Sequence, residues 1–245
     1  MSRDTIYRAP GPATDFAFGP QVAGVFDDMV ERSVPGYLMM QEYLVRTIDT
    51  LPNPPATVLD IGCATGTSMA LLADRYPGIH LIGYDDSEPM LAKAEQRLAQ
   101  LPSASFDLRA DDVCEVREFP AADVVLLNLT LQFIRPLRRP QLLRRLADAV
   151  RPGGTLLLME KFLDADPAAN RRLIGMHHDF KRRQGYSDLE IARKREDIEN
   201  VLIPLTVAEN EELLRAAGFT EVALVLRVLN FGLLAAFRPD QPERR

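Results

Sequence analysis

Short apolar runs alternate with amphipathic helical patterns from Thr57 to the end of the chain. The first run, from Thr57 to Ile61, is rich in β-branched residues and is followed by a loop of small residues that ends at Gly66. A helical pattern then extends from Ser68 to Arg75. A strand, a tight turn and a helix in this order open a doubly wound α/β sheet, which binds ligands at the carboxyl ends of its strands.

The rest of the pattern predicts a seven-stranded, mostly parallel, Rossmann-like sheet with helices between its strands. Further strands are expected at Leu81–Tyr84, Phe106–Ala110, Ala122–Leu127, Thr155–Met159, Val222–Leu229 and Phe231–Phe237. Helices are expected at Pro89–Ala99, Pro140–Val150 and Asn210–Ala217, with Ser87 as an N-cap and Gly218 as a stop. Arg151–Gly154 is expected to end the second of these helices and turn into the next strand. Only Asn230 separates the last two strands, so we expect an antiparallel C-terminal hairpin.

Two regions lie outside this alternation. Residues 1–54 contain two helical patterns around a Pro-Gly turn, and we expect an N-terminal helical lid over the strand ends; packing against a sheet edge is the alternative. Residues 162–205 form a helical insertion that is longer than a crossover requires, with helices expected at 170–183 and 186–202. The α/β domain is therefore expected at 55–161 and 206–238, and 239–245 is expected to be a disordered tail.

Composition narrows the class of protein. A chain of 245 residues that is 47% hydrophobic suits one α/β domain with additions. The net charge of −6 argues against a broad nucleic-acid footprint, and no apolar run approaches the ~20 residues of a membrane span. The two cysteines, Cys63 and Cys114, suit a reducing compartment, so a cytoplasmic location is expected. His177 and His178 are adjacent rather than four residues apart, so no metal site is expected.

The loop after the first strand indicates a nucleoside site. Gly62 and Gly66 are present, but Cys63 and Ala64 replace the middle of the G-x-G-x-x-G dinucleotide fingerprint. Asp85 follows the second strand, where a carboxylate can accept hydrogen bonds from both hydroxyls of a ribose. A nucleoside without phosphates therefore fits best, and S-adenosylmethionine is the candidate; a tight turn with no ligand is the alternative.

Other strand ends carry further candidate residues. Asp112 and Val113 could clamp an adenine through a carboxylate and a backbone N–H, or belong to a solvated turn. Asn128 ends the central strand, where a polar group of a substrate would arrive. Tyr37 follows the Pro-Gly turn and could present its hydroxyl to a pocket or be half-buried. Most basic residues of the insertion should be solvated, while one or two could face an anionic substrate.

Together these residues resemble the class I S-adenosylmethionine-dependent methyltransferase fold. A narrower resemblance, to the carboxy-S-adenosylmethionine synthases, lies in blocks of sequence outside the loop from Gly62 to Gly66, which we call the cofactor loop. These blocks are Met1–Asp4, Ser33–Tyr37, Leu127–Phe133, Glu160–Phe162, Met176–Arg182, Lys194–Arg195 with Glu199–Val201, and Asn230–Gly232. They extend from one end of the chain nearly to the other, and generic methyltransferases have no reason to share them.

The resemblance implies an unusual reaction. S-adenosylmethionine would be carboxylated on its methyl group with prephenate as the carboxyl source and phenylpyruvate as the second product, and another enzyme would use the carboxylated product to make 5-oxyacetyluridine at the tRNA wobble position. It also implies a homodimer. The absence of a metal, of direct nucleic-acid binding and of a membrane contact is expected from the histidine spacing, the net charge and the lack of a long apolar run given above. The implied cofactor contacts are Tyr37, Gly62, Cys63, Ala64, Asp85, Asp86, Asp112, Val113, Asn128 and Arg195.

Arg195 and Tyr37 are the implied catalytic residues. The arginine would pair with the new carboxylate, and the segment around Tyr37 would close a cavity that must be dry, because water would quench a deprotonated sulfonium methyl. The chain departs from the family pattern at Ala64-Thr65, where we associate Ser-Leu with the family, and at Asp86, which replaces an asparagine. An ordinary methyltransferase acting on RNA or a small molecule, and a nucleoside-binding module without activity, are the alternatives.

Overall fold

A seven-stranded sheet runs through the computed structural model, which describes residues 2–8 and 16–239. The strands lie in the order β3-β2-β1-β4-β5-β8-β7, and a short β6 pairs with β5 beside this path. Their bounds are β1 Thr57–Ile61, β2 His80–Tyr84, β3 Ser105–Arg109, β4 Ala122–Asn128, β5 Val150–Leu163, β6 Leu205–Thr206, β7 Glu221–Val228 and β8 Phe231–Phe237. β8 is antiparallel to both of its neighbours and the other pairs are parallel. The predicted fold class and the C-terminal hairpin are confirmed.

Helices cover both faces of the sheet. The α-helices are α1 Pro20–Ser33, α2 Tyr37–Ile48, α3 Thr67–Arg75, α4 Glu88–Leu98, α5 Arg139–Ala149, α6 Pro167–Arg183, α7 Asp188–Ile198 and α8 Val207–Ala217. Side chains of α2, α3 and α4 share one core with alternate strand residues such as Val58 and Val124. Their strand neighbours Leu59 and Val125 point to the other face and pack with α5 and α8. This alternation of buried positions on two faces is what a central parallel sheet requires.

The predicted N-cap at Ser87 and the predicted helix stop at Gly218 are both present in the structure. The Ser87 side chain accepts a hydrogen bond from the Met90 N–H and caps α4. Gly218 ends α8 with a φ of 116°, a conformation that glycine adopts without steric cost.

Three elements differ from the prediction. Arg151–Gly154, expected as a turn, lies inside β5, where a shift in the pairing with β4 absorbs the extra residues. Gly154 makes this possible, because a Cβ there would lie 2.5 Å from the Asp123 carbonyl oxygen. α7 is shorter than the predicted 186–202 helix, since Ser187 and Glu190 form a capping box that fixes its start. β6 is too short to produce a periodic signal.

The N-terminal helices lie over the strand ends as well as over the sheet. Val22 and Met29 of α1 pack with Met90 of α4, while Val30 joins the core that α2 shares with the sheet. The predicted boundaries at residues 54, 161, 205 and 238 stay predictions, and the predicted tail, apart from Pro239, lies outside the described residues. No helix in the described part of the chain combines the length and hydropathy needed to cross a bilayer.

Candidate active site

A cavity of about 500 Å³ lies where β1, β2 and β4 end, between the strand ends and helices α1, α6 and α7. Its volume is in the range of pockets for ligands the size of a nucleoside derivative. Nine of the ten predicted cofactor contacts line it: Tyr37, Gly62, Cys63, Ala64, Asp85, Asp86, Asp112, Val113 and Asn128. Arg195 is not among the lining residues; it is exposed on α7, next to Lys194, which does line the cavity.

The loop after β1 is shaped by close contacts and held by Asp85. Gly62 has a φ of 75°, and a Cβ there would lie 2.6 Å from Cγ2 of Thr130. Asp85 accepts hydrogen bonds from the Ala64 N–H and the Ser87 N–H, each at 2.9 Å and each on a different carboxylate oxygen. Burial raises the pKa of this carboxyl. A carboxylate has about four acceptor positions, so Asp85 can hold the loop and still accept bonds from a ligand.

Two buried acceptors at the strand ends have no hydrogen-bond partner among the described residues. They are Oδ1 of Asp60 in β1 and Oδ1 of Asn128 in β4, and both residues line the cavity. Burial, and secondarily the charge of Asp85, raises the pKa of Asp60 to about 7. A buried acceptor without a donor is unfavourable by about 1–3 kcal/mol. These positions therefore suit a ligand that brings donors, such as the amino group of S-adenosylmethionine.

Tyr37 is oriented by a chain of polar side chains. The Gln41 amide nitrogen donates to the Tyr37 hydroxyl at 2.9 Å and to Ser68 Oγ at 3.0 Å, and the Asn128 amide nitrogen donates to the same Ser68 oxygen at 2.8 Å. Because the Tyr37 oxygen accepts from Gln41, its proton remains available to another acceptor. Burial raises the pKa of Tyr37 to about 12, so the hydroxyl stays protonated at neutral pH.

Gly36 places Tyr37 at the first turn of α2. It has a left-handed φ of 75°, and a Cβ there would lie 2.7 Å from Cγ2 of Val228 in β7. A larger residue would be strained by its backbone and would collide with the terminal hairpin. The Pro-Gly turn thus joins α1 to α2 and packs closely against β7.

Asp112 of the predicted adenine clamp already has two partners, one in its own turn and one just before α5. Asp112 accepts a hydrogen bond from the Cys114 N–H at 2.8 Å and faces the Arg138 guanidinium at 3.4 Å. Asp112 and Val113 both line the cavity, so their proposed contact with a base stays a prediction.

Sequence reasoning missed the ion pair that joins α1 to the cofactor loop. Asp27 of α1 pairs with Arg97 of α4, and the same arginine donates to the Thr65 carbonyl oxygen at 2.7 Å. The Thr65 hydroxyl donates to Asp27 at 2.6 Å. No spacing rule reveals this triad, because its members come from three separate parts of the chain.

Three aromatic rings line the cavity beneath α1 and form an aromatic wall. The Phe18 ring meets Phe26 and Phe133 edge to face, at centroid distances of 6.3 Å and 5.3 Å. All three line the cavity. These rings give the space above the strand ends an apolar wall on this side.

Two polar residues near the end of β5, Glu160 and Lys161, point to opposite sides and have different contacts. Glu160 is buried, and its carboxylate accepts from the Leu131 N–H at 2.8 Å and the Gln132 N–H at 3.0 Å, which fixes the segment after β4. Burial raises the pKa of Glu160 to about 8. The next residue, Lys161, points to the other side and lines the cavity.

The insertion completes the wall around Lys161. His177 of α6 lies against the Ser33 carbonyl oxygen, with Nε2 at 2.8 Å, and burial lowers the pKa of His177 to about 3. This imidazole is therefore neutral and donates to Ser33. Lys181 of α6 and Lys194 of α7 line the same part of the cavity.

Comparisons with known proteins first define the class. Residues 58–154 match the model of a methyltransferase domain family. Among solved structures, the chain resembles the apo S-adenosylmethionine-dependent methyltransferase SibL, with 22% identity and a TM-score of 0.63 over 94% of this chain and 64% of that protein. It also resembles human N-acetylserotonin methyltransferase in complex with SAM, with 16% identity and a TM-score of 0.61 over 90% of this chain and 55% of that protein. The fold is that of the class I S-adenosylmethionine-dependent methyltransferases.

Curated relatives then identify the family. The chain is 41% identical over 240 residues to the carboxy-S-adenosyl-L-methionine synthase of Methylococcus capsulatus, covering 96% of this chain and 99% of that protein. It is 40% identical over 242 residues to the synthase of the same name from Desulfotalea psychrophila, covering 97% and 98%. The chain belongs to the carboxy-S-adenosyl-L-methionine synthase family.

Proposed function

We propose that this protein converts S-adenosylmethionine and prephenate to carboxy-S-adenosylmethionine and phenylpyruvate. One observation carries the proposal: a single cavity joins aspartates at the strand ends to lysines of β5 and the insertion. The first end suits the cationic nucleoside, and the second suits an anionic partner. Near-full-length similarity to carboxy-S-adenosyl-L-methionine synthases supports the same reaction.

The nucleoside would be held mainly by groups that are already in position. Backbone groups of the loop from Gly62 to Ala64 would approach the ligand closely, and Asp85 would accept from the ribose hydroxyls. Asp112 and Val113 would bind the adenine, with Asp86 beside them. The unpaired oxygens of Asp60 and Asn128 would accept from the ligand amino group, and Tyr37 would complete this end.

The chemistry balances in atoms and charge. Prephenate loses one carboxylate as carbon dioxide and its ring hydroxyl as hydroxide, and the hydroxide takes a proton from the sulfonium methyl to form water. The methyl carbon then forms a bond to the carbon dioxide. The chain therefore has to position two substrates and exclude water, and no side chain or metal ion has to act as the base. Helix α1 and its aromatic wall would exclude the water.

Arg195 is proposed to pair with the new carboxylate. Its charge, after burial, is what lowers the pKa of Lys161, a residue of the cavity, and its neighbour Lys194 lines that cavity. Since Arg195 itself is exposed, the guanidinium would reach the carboxylate by a small movement of α7 or from the partner subunit of a homodimer. We propose such a homodimer, in the cytoplasm, where two unpaired cysteines are stable. The product would serve the tRNA wobble modification.

Mass spectrometry of the ligand released from purified protein tests the reaction. Carboxylated S-adenosylmethionine, and phenylpyruvate formed from S-adenosylmethionine plus prephenate, are the expected results. Unmodified cofactor and no keto acid would instead indicate an ordinary methyltransferase or a binding module.

Arg195→Ala tests the arginine separately. It should release the carboxylated ligand at least about tenfold faster, because a charge-assisted bidentate pair is lost, while the affinity for S-adenosylmethionine stays within about twofold. Arg144→Ala, at an exposed position of α5, is the control. Equal loss of both ligands in Arg195→Ala would contradict the assignment.

A further inference from the structure

Lysine is rare in this chain and concentrated in one place. The sequence contains four lysines, Lys93, Lys161, Lys181 and Lys194, and the last three line the cavity. They come from β5, α6 and α7, so the tertiary fold brings them together. Arginine supplies nearly all the other positive charge. A lysine ammonium is a compact point charge that changes its pKa readily on burial, unlike the planar guanidinium.

The three lysines have no counter-ion in the described residues. No carboxylate there lies within 4.0 Å of any of their ammonium groups, whereas arginines form nearly all the ion pairs of the molecule. Lys194 donates to the Ser33 hydroxyl at 3.1 Å. Asp4 is the acid whose charge acts on Lys194, and its carboxylate oxygens already accept from the Tyr186 hydroxyl and the Ile6 N–H.

Burial and mutual repulsion act on these cations. Lys181 is only 9% exposed, and burial, with the charges of Lys194 and Lys161, lowers its pKa to about 7. Burial likewise lowers the pKa of Lys194 to about 8. Unpaired buried cations destabilise a fold. His177 beside them carries no negative charge, and no carboxylate of residues 2–8 and 16–239 pairs with them, so this part of the cavity suits a bound anion.

We propose that Lys161, Lys181 and Lys194 bind one of the two carboxylates of the co-substrate. It is the carboxylate of the 2-oxo acid side chain, which the reaction leaves in the second product. This inference rests on the proposed function and assigns the two anionic groups of the co-substrate to different places. The transferred carboxylate lies toward the nucleoside, and the retained carboxylate is held by the lysines at the far wall. The subsite thereby selects dicarboxylates over monocarboxylates as donors.

The test measures binding apart from turnover. Full-length protein saturated with S-adenosylhomocysteine is titrated in a calorimeter with phenylpyruvate, and with phenylacetone, which lacks the carboxylate. The wild type should bind phenylpyruvate at least about tenfold more tightly, the size expected for a charge-assisted contact. Lys181→Met and Lys194→Met should lose this preference, and Lys93→Gln, at an exposed position of α4, should keep it.

Further readouts separate a binding role from a structural one. The melting temperature of Lys181→Met should equal or exceed that of the wild type, because an unpaired buried cation is removed, and the affinity for S-adenosylhomocysteine should stay within about threefold. A preference for phenylpyruvate that survives in both methionine variants, or is absent from the wild type, overturns the proposal. The proposal is also overturned if the methionine variants bind carboxy-S-adenosylmethionine or S-adenosylhomocysteine more weakly but bind phenylpyruvate as the wild type does. The lysines would then hold a carboxylate of the nucleoside. If wild-type protein binds phenylpyruvate through the lysines but forms no carboxylated product, the proposed reaction fails and the subsite stands.

Discussion

The two ends of the cavity carry opposite charges and are built differently. At the strand ends, the carboxylate of Asp85 accepts hydrogen bonds from a backbone N–H of the loop after β1 and from one of its own loop, and Asp112 accepts one from its own turn. At the far end, no carboxylate of the described residues pairs with Lys161, Lys181 or Lys194. The carboxylates of the acidic end therefore stabilise the fold, whereas the lysines of the basic end have no counter-ion among the described residues. Substitutions at the two ends should consequently differ in their effect on stability.

The largest effect is expected from Asp85→Ala. This change removes two charge-assisted bonds that hold the loop and the proposed contact with the ribose. The affinity for S-adenosylhomocysteine should fall by about 100-fold or more, and the melting temperature should fall as well. Calorimetric titration and thermal unfolding measure the two quantities. Asp107→Asn, at an exposed position of β3, should change neither; an Asp85→Ala protein that binds within about threefold of wild type would mean that the acidic end does not hold the nucleoside.

Asp60 should make ligand binding depend on pH. With its pKa raised to about 7, the carboxyl is largely protonated at pH 6 and ionised at pH 8. A cationic amino group binds the ionised form better, so the affinity for S-adenosylhomocysteine should weaken by up to about tenfold per pH unit below pH 7. Titrations between pH 5.5 and pH 8.5 measure this, and Asp60→Asn should give a flat profile. An identical slope in both proteins would assign the titration to another group.

The same carboxyl should affect the ligand-free protein in the opposite direction. Because the folded pKa lies above the ordinary value of a carboxyl, the folded state keeps a proton that the unfolded chain has lost between about pH 4 and pH 7. The free energy of unfolding should therefore decrease as pH rises through that window. Asp60→Asn should remove part of the slope, and Glu160, whose pKa is raised to about 8, should account for more of it. Urea unfolding at several pH values checks the difference between the two proteins.

The smallest effect is expected from Arg97→Ala, which separates α1 from the cofactor loop. The arginine and Asp27 are both partly buried, so losing their ion pair and the bond to Thr65 should cost about 1–2 kcal/mol of unfolding free energy. Binding of S-adenosylhomocysteine should weaken by only about threefold, since no ligand contact is removed. Arg144→Ala should stay within about 0.5 kcal/mol of wild type by chemical denaturation. An Arg97→Ala protein of unchanged stability would show that α1 is held by its apolar contacts alone.

Features that depend on neighbours in the sequence were predictable. The small-residue loop from Gly62 to Gly66, the Ser87 cap and the terminal hairpin follow from local patterns, and the structure contains each of them. Asp85 was predictable as well, because its position after β2 follows from the strand–turn–helix repeat.

Features that depend on distant contacts were not predictable. Asp27 meets Arg97 only after the elements have packed. Packing likewise determines that one oxygen of Asp60 and one of Asn128 are buried without a hydrogen-bond donor among the described residues. Local rules also placed a turn at Arg151–Gly154, where tertiary pairing keeps the chain in β5. Helical periodicity alone favours a solvated Arg195, and the residue is exposed on α7; only the family resemblance assigns it to the cofactor.

The contact between Gly36 and Val228 has a consequence for how the protein is made. The turn at Gly36 is translated early, but it packs against β7, which begins at Glu221 and is translated almost last. Every side chain assigned to the cofactor precedes that strand. A nascent or truncated chain that stops before Glu221 would thus carry the full set of assigned contacts and still leave Tyr37 without its support.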